Sequence, residues 1–160
     1  MPGIMGEHSA KHGTNDMSDK KYEQFTEEHE MYRKAVRDYA ENELRPHADV
    51  CEENRLFPRE VFEEMGDLGF LGATFPEEYG GSDGDVWHTA VLAEEMPKCR
   101  MAGLTMSILV QTDMCTPVIK ELGTEEQKEE FLEPALKGEK IGSLGISESG
   151  AGSDVAAMRT

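Results

Sequence analysis

The sequence predicts a mainly α-helical, multi-helical amino-terminal domain followed by the first strands of a β-domain that is cut short at Thr160. Three observations carry this reading. Apolar residues recur at helical spacing from about residue 26 to residue 138. Gly and Pro interrupt that run at intervals. From Lys140 the pattern changes to Gly and Ser around short apolar positions, Ile141, Leu144 and Ile146, which read as a strand, and a second strand is placed over residues 155–160. At 160 residues the chain suffices for one domain with a real core and is too short for two full ones.

Residues 1–21 are polar, without periodicity, and read as a flexible tail. The helical domain is placed at 22–139 and the start of the β-domain at 140–160. Thr26 is a candidate N-cap, with Glu27 and Glu28 in the first turn, where negative charge suits the helix dipole. Tyr32, Val36, Tyr39 and Ala40 form its apolar face. Arg45-Pro46 should end or kink this helix. After Pro58, the residues Val61, Phe62, Met65 and Leu68 form the next buried stripe, with Gly69 as its stop. Phe75-Pro76, Tyr79-Gly80-Gly81 and Gly84 mark a loop over 72–85. A third helix is expected from about Val86 to Met96, and a fourth over 102–122 with Pro117 as a kink. Thr124 and Gln127 make a capping box for a helix carrying Phe131, Leu132, Ala135 and Leu136 as far as Gly138. A two-strand piece cannot bury its apolar face alone, so the chain is read as ending inside a β-domain.

The net charge of −17 argues against nucleic-acid binding, which needs clustered Lys and Arg, and gives no support to a polybasic membrane surface. No apolar run approaches the ~20 residues of a membrane span. Cys51, Cys99 and Cys115 are odd in number and unpaired in spacing, which suits free thiols in a reducing compartment. A cytoplasmic location, or the mitochondrial matrix in a eukaryote, is the expectation. His29, His47 and His88 stand alone by spacing, so no metal site is assigned. The acidic pairs Glu77-Glu78, Glu94-Glu95, Glu125-Glu126 and Glu129-Glu130 read as solvated faces or dipole partners.

The one segment with binding chemistry is Ser147 to Asp154. Gly150 and Gly152 let backbone amides converge on an oxygen, and Ser147 and Ser153 add hydroxyls. Such a loop suits a phosphate, a pyrophosphate or the polar edge of a flavin, but Gly-Ser loops also simply turn the chain. The segment lacks the GxxxxGK[ST] phosphate loop and the third glycine of the dinucleotide fingerprint.

From about Tyr22 to Thr160 the order of segments resembles the acyl-CoA dehydrogenase family. The matching stretches are Leu68-Gly69-Phe70-Leu71-Gly72, Phe75-Pro76-Glu77-Glu78-Tyr79-Gly80-Gly81, Glu94-Glu95-Met96, Gly123-Thr124-Glu125-Glu126-Gln127-Lys128, Gly138-Glu139-Lys140-Ile141-Gly142 and Ser147 to Asp154. The resemblance implies α,β-dehydrogenation of an acyl-CoA thioester by FAD, with electrons leaving through electron-transfer flavoprotein, in a homo-oligomer. It also implies that Leu144 to Ser153 contacts flavin, with Leu144, Ile146, Ser147, Gly152 and Ser153 as cofactor residues and Ser153 also facing the CoA ester. The helix around Leu104 to Met114 would help line the acyl pocket. Ser147-Glu148-Ser149 stands where the family usually has Thr-Glu-Pro: the hydroxyl is kept and a rigid proline is lost, at a cost of up to ~1 kcal/mol. The family's catalytic glutamate lies in a later domain, so no residue here is assigned as general base and this chain alone is expected to be inactive. An acyl-CoA oxidase sharing this front end and a non-catalytic helical binding module are the alternatives.

Overall fold

The computed structural model describes residues 24–160, so the tail placed at 1–21 lies outside the described residues. Thr26 caps α1 (Glu27–Asp38) as its sequence predicts. The partner in this capping box is unexpected: His29 Nδ1 accepts the Thr26 amide at 3.0 Å while the His29 amide reaches Thr26 Oγ1 at 3.4 Å. Beyond α1 the chain stays helical through a wide π-helical turn (Tyr39–Leu44) and a 3-10 turn (Arg45–His47) into α2 (Ala48–Asn54). Pro46 sits in the first residues of the 3-10 turn, where a missing amide costs nothing, so it changes the helix type without ending the run.

Val61, Phe62 and Met65 of α3 (Glu60–Asp67) are buried as expected, but Leu68 is 53% exposed. It lies past the last helical turn, just before Gly69 turns the chain with φ +75°. The 72–85 loop, α4 (Val86–Glu95) and its 3-10 extension Met96–Cys99 follow. The long fourth helix divides into α5 (Ala102–Val110), a π-helical turn (Gln111–Cys115) and α6 (Thr116–Leu122), with Pro117 in the first turn of α6. The last helical run divides likewise into α7 (Glu125–Gln127), a π-helical turn (Lys128–Leu132) and α8 (Glu133–Leu136). Its Thr124–Gln127 capping box is present.

α1 and α4 run parallel, since His29 meets Asp85 at one end and Arg33 and Arg37 meet Glu94 and Glu95 at the other. Beneath them Val36, Phe62, Met65, Leu71, Met96, Leu104 and Ile108 form the centre of the main core. Burying each such side chain contributes roughly 1.5–3 kcal/mol. A smaller cluster joins Phe75, Leu132 and Leu136, seating α8 against the 72–85 loop.

The reading of Glu94-Glu95 as a solvated pair is corrected at Glu95, which is 1% exposed. Its carboxylate accepts from Arg37 Nε (2.8 Å) and Nη2 (2.9 Å), from Arg33 Nη1 (2.9 Å) and from Lys98 Nζ. Burial pushes its pKa up, but the hydrogen bonds from Arg37, Lys98 and Arg33 outweigh it and hold the group at about 2. The expected strands are also corrected. Among the described residues there is no strand: 141–147 has no regular structure, Glu148 and Ala151 form an isolated bridge, and Val155–Ala157 is a 3-10 turn. Extended backbone becomes a strand only through a neighbour that takes its amides and carbonyls, and these residues have none within the described chain.

This packing makes the acid stability of the domain depend on Glu95. Because its folded pKa lies below the ordinary 4.5, its stabilisation is complete above that value and fades as pH falls towards about 2. Glu95→Gln should cost on the order of 2–3 kcal/mol in urea unfolding at neutral pH and flatten the acid limb of the stability curve. An unchanged acid limb would remove Glu95 from this role. Gly138 has φ +76°, and a Cβ there would lie 2.0 Å from the Phe62 carbonyl oxygen. Gly138→Ala should therefore lower the urea midpoint markedly, by about 2 kcal/mol or more in stability.

Candidate functional site

The 140–153 segment is anchored at its root and mostly exposed beyond it, apart from the buried Ala151. Gln111, the first residue of the π-helical turn, is fully buried. Its Nε2 donates to the carbonyls of Ala135 (2.8 Å) and Lys140 (3.1 Å), and its Oε1 accepts the Gly142 amide (2.8 Å). One side-chain amide thus ties the end of α8 and the start of the segment to the helix below. Gly142 suits this approach, because a Cβ there would lie 3.0 Å from Cys115 Cβ. Two cations fix the neighbouring backbone: Arg59 donates to the Glu139 carbonyl (2.6 Å) and Lys140 Nζ to that of Glu130 (2.6 Å).

The π-helical turn gives Gln111 this position. The Thr116 amide reaches back five residues to the Gln111 carbonyl, which also accepts the Thr116 hydroxyl at 2.5 Å. A wide turn of this kind inserts one extra residue and turns the side chains that follow to a new face.

Past Gly142 the segment lies open. Leu144 is 41% and Ile146 44% exposed, and Ser147, Gly152 and Ser153 are exposed. The structure places all five predicted cofactor residues on this one surface segment. Glu148 shapes its tip: its backbone pairs with Ala151 in both directions (2.8 and 3.2 Å), and its carboxylate accepts the amides of Arg159 and Thr160 (both 3.0 Å) and the Thr160 hydroxyl. The Thr160 hydroxyl and these two amides hold the Glu148 carboxyl below its ordinary pKa. The bridge and the carboxylate contacts engage Glu148 and Ala151, between Ser147 and Gly152. Neither Gly150 nor Gly152 has a left-handed φ, and a Cβ on either would meet nothing within 4 Å. Nothing among the described residues requires glycine at those two positions.

The helix expected to line an acyl pocket divides by face. Leu104 and Ile108 are fully buried in the core, so they face away from any ligand. Met106 and Met114 are exposed, at 60% and 46%, and Leu109 and Val110 are half-buried. Burial raises the pKa of the Asp113 carboxyl, against a hydrogen bond from Thr112. Sequence reasoning missed Gln111 altogether. Its one signal was an uncharged polar residue inside an apolar helix, which gives no direction to the side chain.

Together the geometry defines a helical body carrying a glycine-rich segment that is pinned at its base and largely exposed above. Residues 26–139 match the family model described as "Acyl-CoA dehydrogenase, N-terminal domain", and the chain belongs to the acyl-CoA dehydrogenase family. It is 43% identical over 136 residues to the short-chain specific acyl-CoA dehydrogenase of Clostridium acetobutylicum, covering 84% of this chain and 35% of that protein. Among solved structures, the acyl-CoA dehydrogenase from Geobacillus kaustophilus superposes with a TM-score of 0.78 at 38% identity, over 85% of this chain and 35% of that one. An acyl-CoA dehydrogenase complexed with FAD from Bacillus anthracis superposes at 0.77 with 32% identity, over 87% and 24%. The chain thus spans about a third of the length of the curated relatives it matches. No helix of the described residues is long and apolar enough to cross a membrane.

Replacing the Gln111 amide tests the anchor. Gln111→Leu keeps the volume but strands the Gly142 amide and two carbonyls, which should cost about 1–3 kcal/mol. Amide exchange at Gly142 should accelerate far more than at Leu104, and equal acceleration at both would show a global effect instead.

Proposed function

We propose that this chain provides the amino-terminal side of an FAD and acyl-CoA site in an enzyme that dehydrogenates acyl-CoA thioesters between the α and β carbons. Family membership supports this reading. The observation that carries it is the exposed stretch from Leu144 to Ser153, which offers the apolar side chains of Leu144 and Ile146, three hydroxyls, and three glycines that the chain's own packing does not demand. The division into a helical domain, 22–139, and a following segment, 140–160, belongs to the same proposal.

Bound FAD supplies a two-electron acceptor for the β-hydride. Leu144 and Ile146 offer apolar surface to the ring system, and the Ser147 hydroxyl offers a hydrogen bond to its polar edge. The absence of a Cβ at Gly152 permits close approach of backbone, and the Ser153 hydroxyl serves both cofactor and CoA ester. Met106, Leu109, Val110 and Met114 line the acyl end with flexible apolar groups. The proton on the α carbon must go to a base outside these residues. Electron-transfer flavoprotein as acceptor, a homo-oligomeric assembly, and a cytoplasmic or matrix location complete the proposal.

A chimera tests it. Residues 24–160 of this chain replace the matched segment of the Clostridium acetobutylicum relative, and the flavin absorbance is followed as acyl-CoA is added. The expected result is a protein that retains FAD and is bleached by acyl-CoA, with Ser147→Ala weakening flavin retention about tenfold. A folded, FAD-loaded chimera that no acyl-CoA bleaches would overturn the proposal. The 160-residue chain alone should bind FAD weakly and substoichiometrically; tight stoichiometric binding would mean that the site needs no second half.

A further inference from the structure

We propose that His29, Asp85 and His88 form a binding site for a divalent transition-metal ion, of which Zn2+ is the best match, between the amino-terminal ends of α1 and α4. One ligand atom from each lies within 4.8 Å of the other two. His29 Nε2 is 2.9 Å from Asp85 Oδ1, and His88 Nδ1 is 3.1 Å from the same oxygen. Two imidazoles and one carboxylate are a donor set suited to Zn2+ and its neighbours, whereas Mg2+ and Ca2+ prefer oxygen alone.

Three features favour an ion over a simple hydrogen-bonded cluster. First, the contacts around His88 conflict. Its Nδ1 faces both the Asp85 amide, a donor at 3.2 Å, and the Asp85 carboxylate, an acceptor at 3.1 Å. Without a proton the ring repels the carboxylate, and with one it opposes the amide. A metal ion bound by both the ring and the carboxylate removes the first conflict. Second, the His29 ring is held in one orientation: Thr26 contacts its Nδ1 through the backbone amide and the hydroxyl, both at 3.0 Å, which turns Nε2 towards Asp85. Third, access is one-sided. Both imidazoles are buried, at 5% and 10% side-chain exposure, while Asp85 is 54% exposed and leaves a side for water to complete the coordination. Phe25 packs edge-on against the His29 ring and Tyr32 against the His88 ring.

Co2+ is a spectroscopic stand-in for Zn2+ in the test. One equivalent added to the 160-residue chain near neutral pH should produce visible d–d absorption without a thiolate charge-transfer band, and Zn2+ should displace it. Asp85→Asn keeps a competent helix cap and removes the anionic ligand, so it should weaken Co2+ binding at least about tenfold. Zn2+ should also shift the ring NMR signals of His29 and His88 and leave those of His47 in place, a readout that needs no variant. Absence of saturable absorption, a thiolate band, binding unaltered in D85N, or shifts confined to other histidines would each overturn the proposal.

Discussion

The buried carboxylate of Glu95 is the constraint on which the helical body depends. A charge this far from water is tolerable only when fully paired, and the three cations that pair it come from two places: Arg33 and Arg37 on α1, and Lys98 just beyond α4. Satisfying it fixes the axial position of α1 against α4. At the opposite end of α4, ten residues earlier, Asp85 receives His29 from the same helix. With polar ties at both ends, the parallel alignment is set independently of the apolar packing between them. Apolar contacts alone would tolerate a slide of one helix along the other.

From that frame the rest of the domain is hung in sequence. The core below α1 and α4 takes Phe62 and Met65 from α3 and Leu104 and Ile108 from α5. α5 leads into the π-helical turn that aims Gln111, and Gln111 receives the segment that starts at Lys140. The root of the open segment therefore rests on a path of close packing that ends in the Gln111 amide, with Arg59 and Lys140 fixing the backbone beside it. The path is physical contiguity and carries no claim of signalling.

Much of this was legible in the sequence wherever the cause is local. Thr26 and Thr124 cap because a hydroxyl sits three residues before an amide it can reach, and Gly69 stops α3 because the turn needs a positive φ. What escaped was set by distant partners. Glu95 looks like Glu94 until Arg33 and Arg37 arrive from a helix some sixty residues away. His29 and His88 appear solitary for the same reason: Asp85, which joins them, is 56 residues from one and three from the other. The strands placed from Ile141 failed on the same ground, because alternation records which faces are apolar and says nothing about whether a neighbour is there to pair.

The π-helical turns have a further consequence for how such a domain tolerates change in length. Each holds one residue more than a regular turn, and an added residue rotates everything after it by about 100°. Three helical runs therefore show one face before the turn and another after it, which no single helical wheel can represent. A bundle built this way has slack distributed along it. A lost residue can be absorbed where a wide turn tightens, provided the face downstream is not needed where it was. At residues 39–44 and 128–132 that condition concerns packing and the hydrogen bonds from Tyr39 to Glu64 and from Lys140 to Glu130. At 111–115 it concerns the direction of Gln111 as well, so among the three this is the turn where the reading frame of the helix and the reach of the open segment are one and the same property.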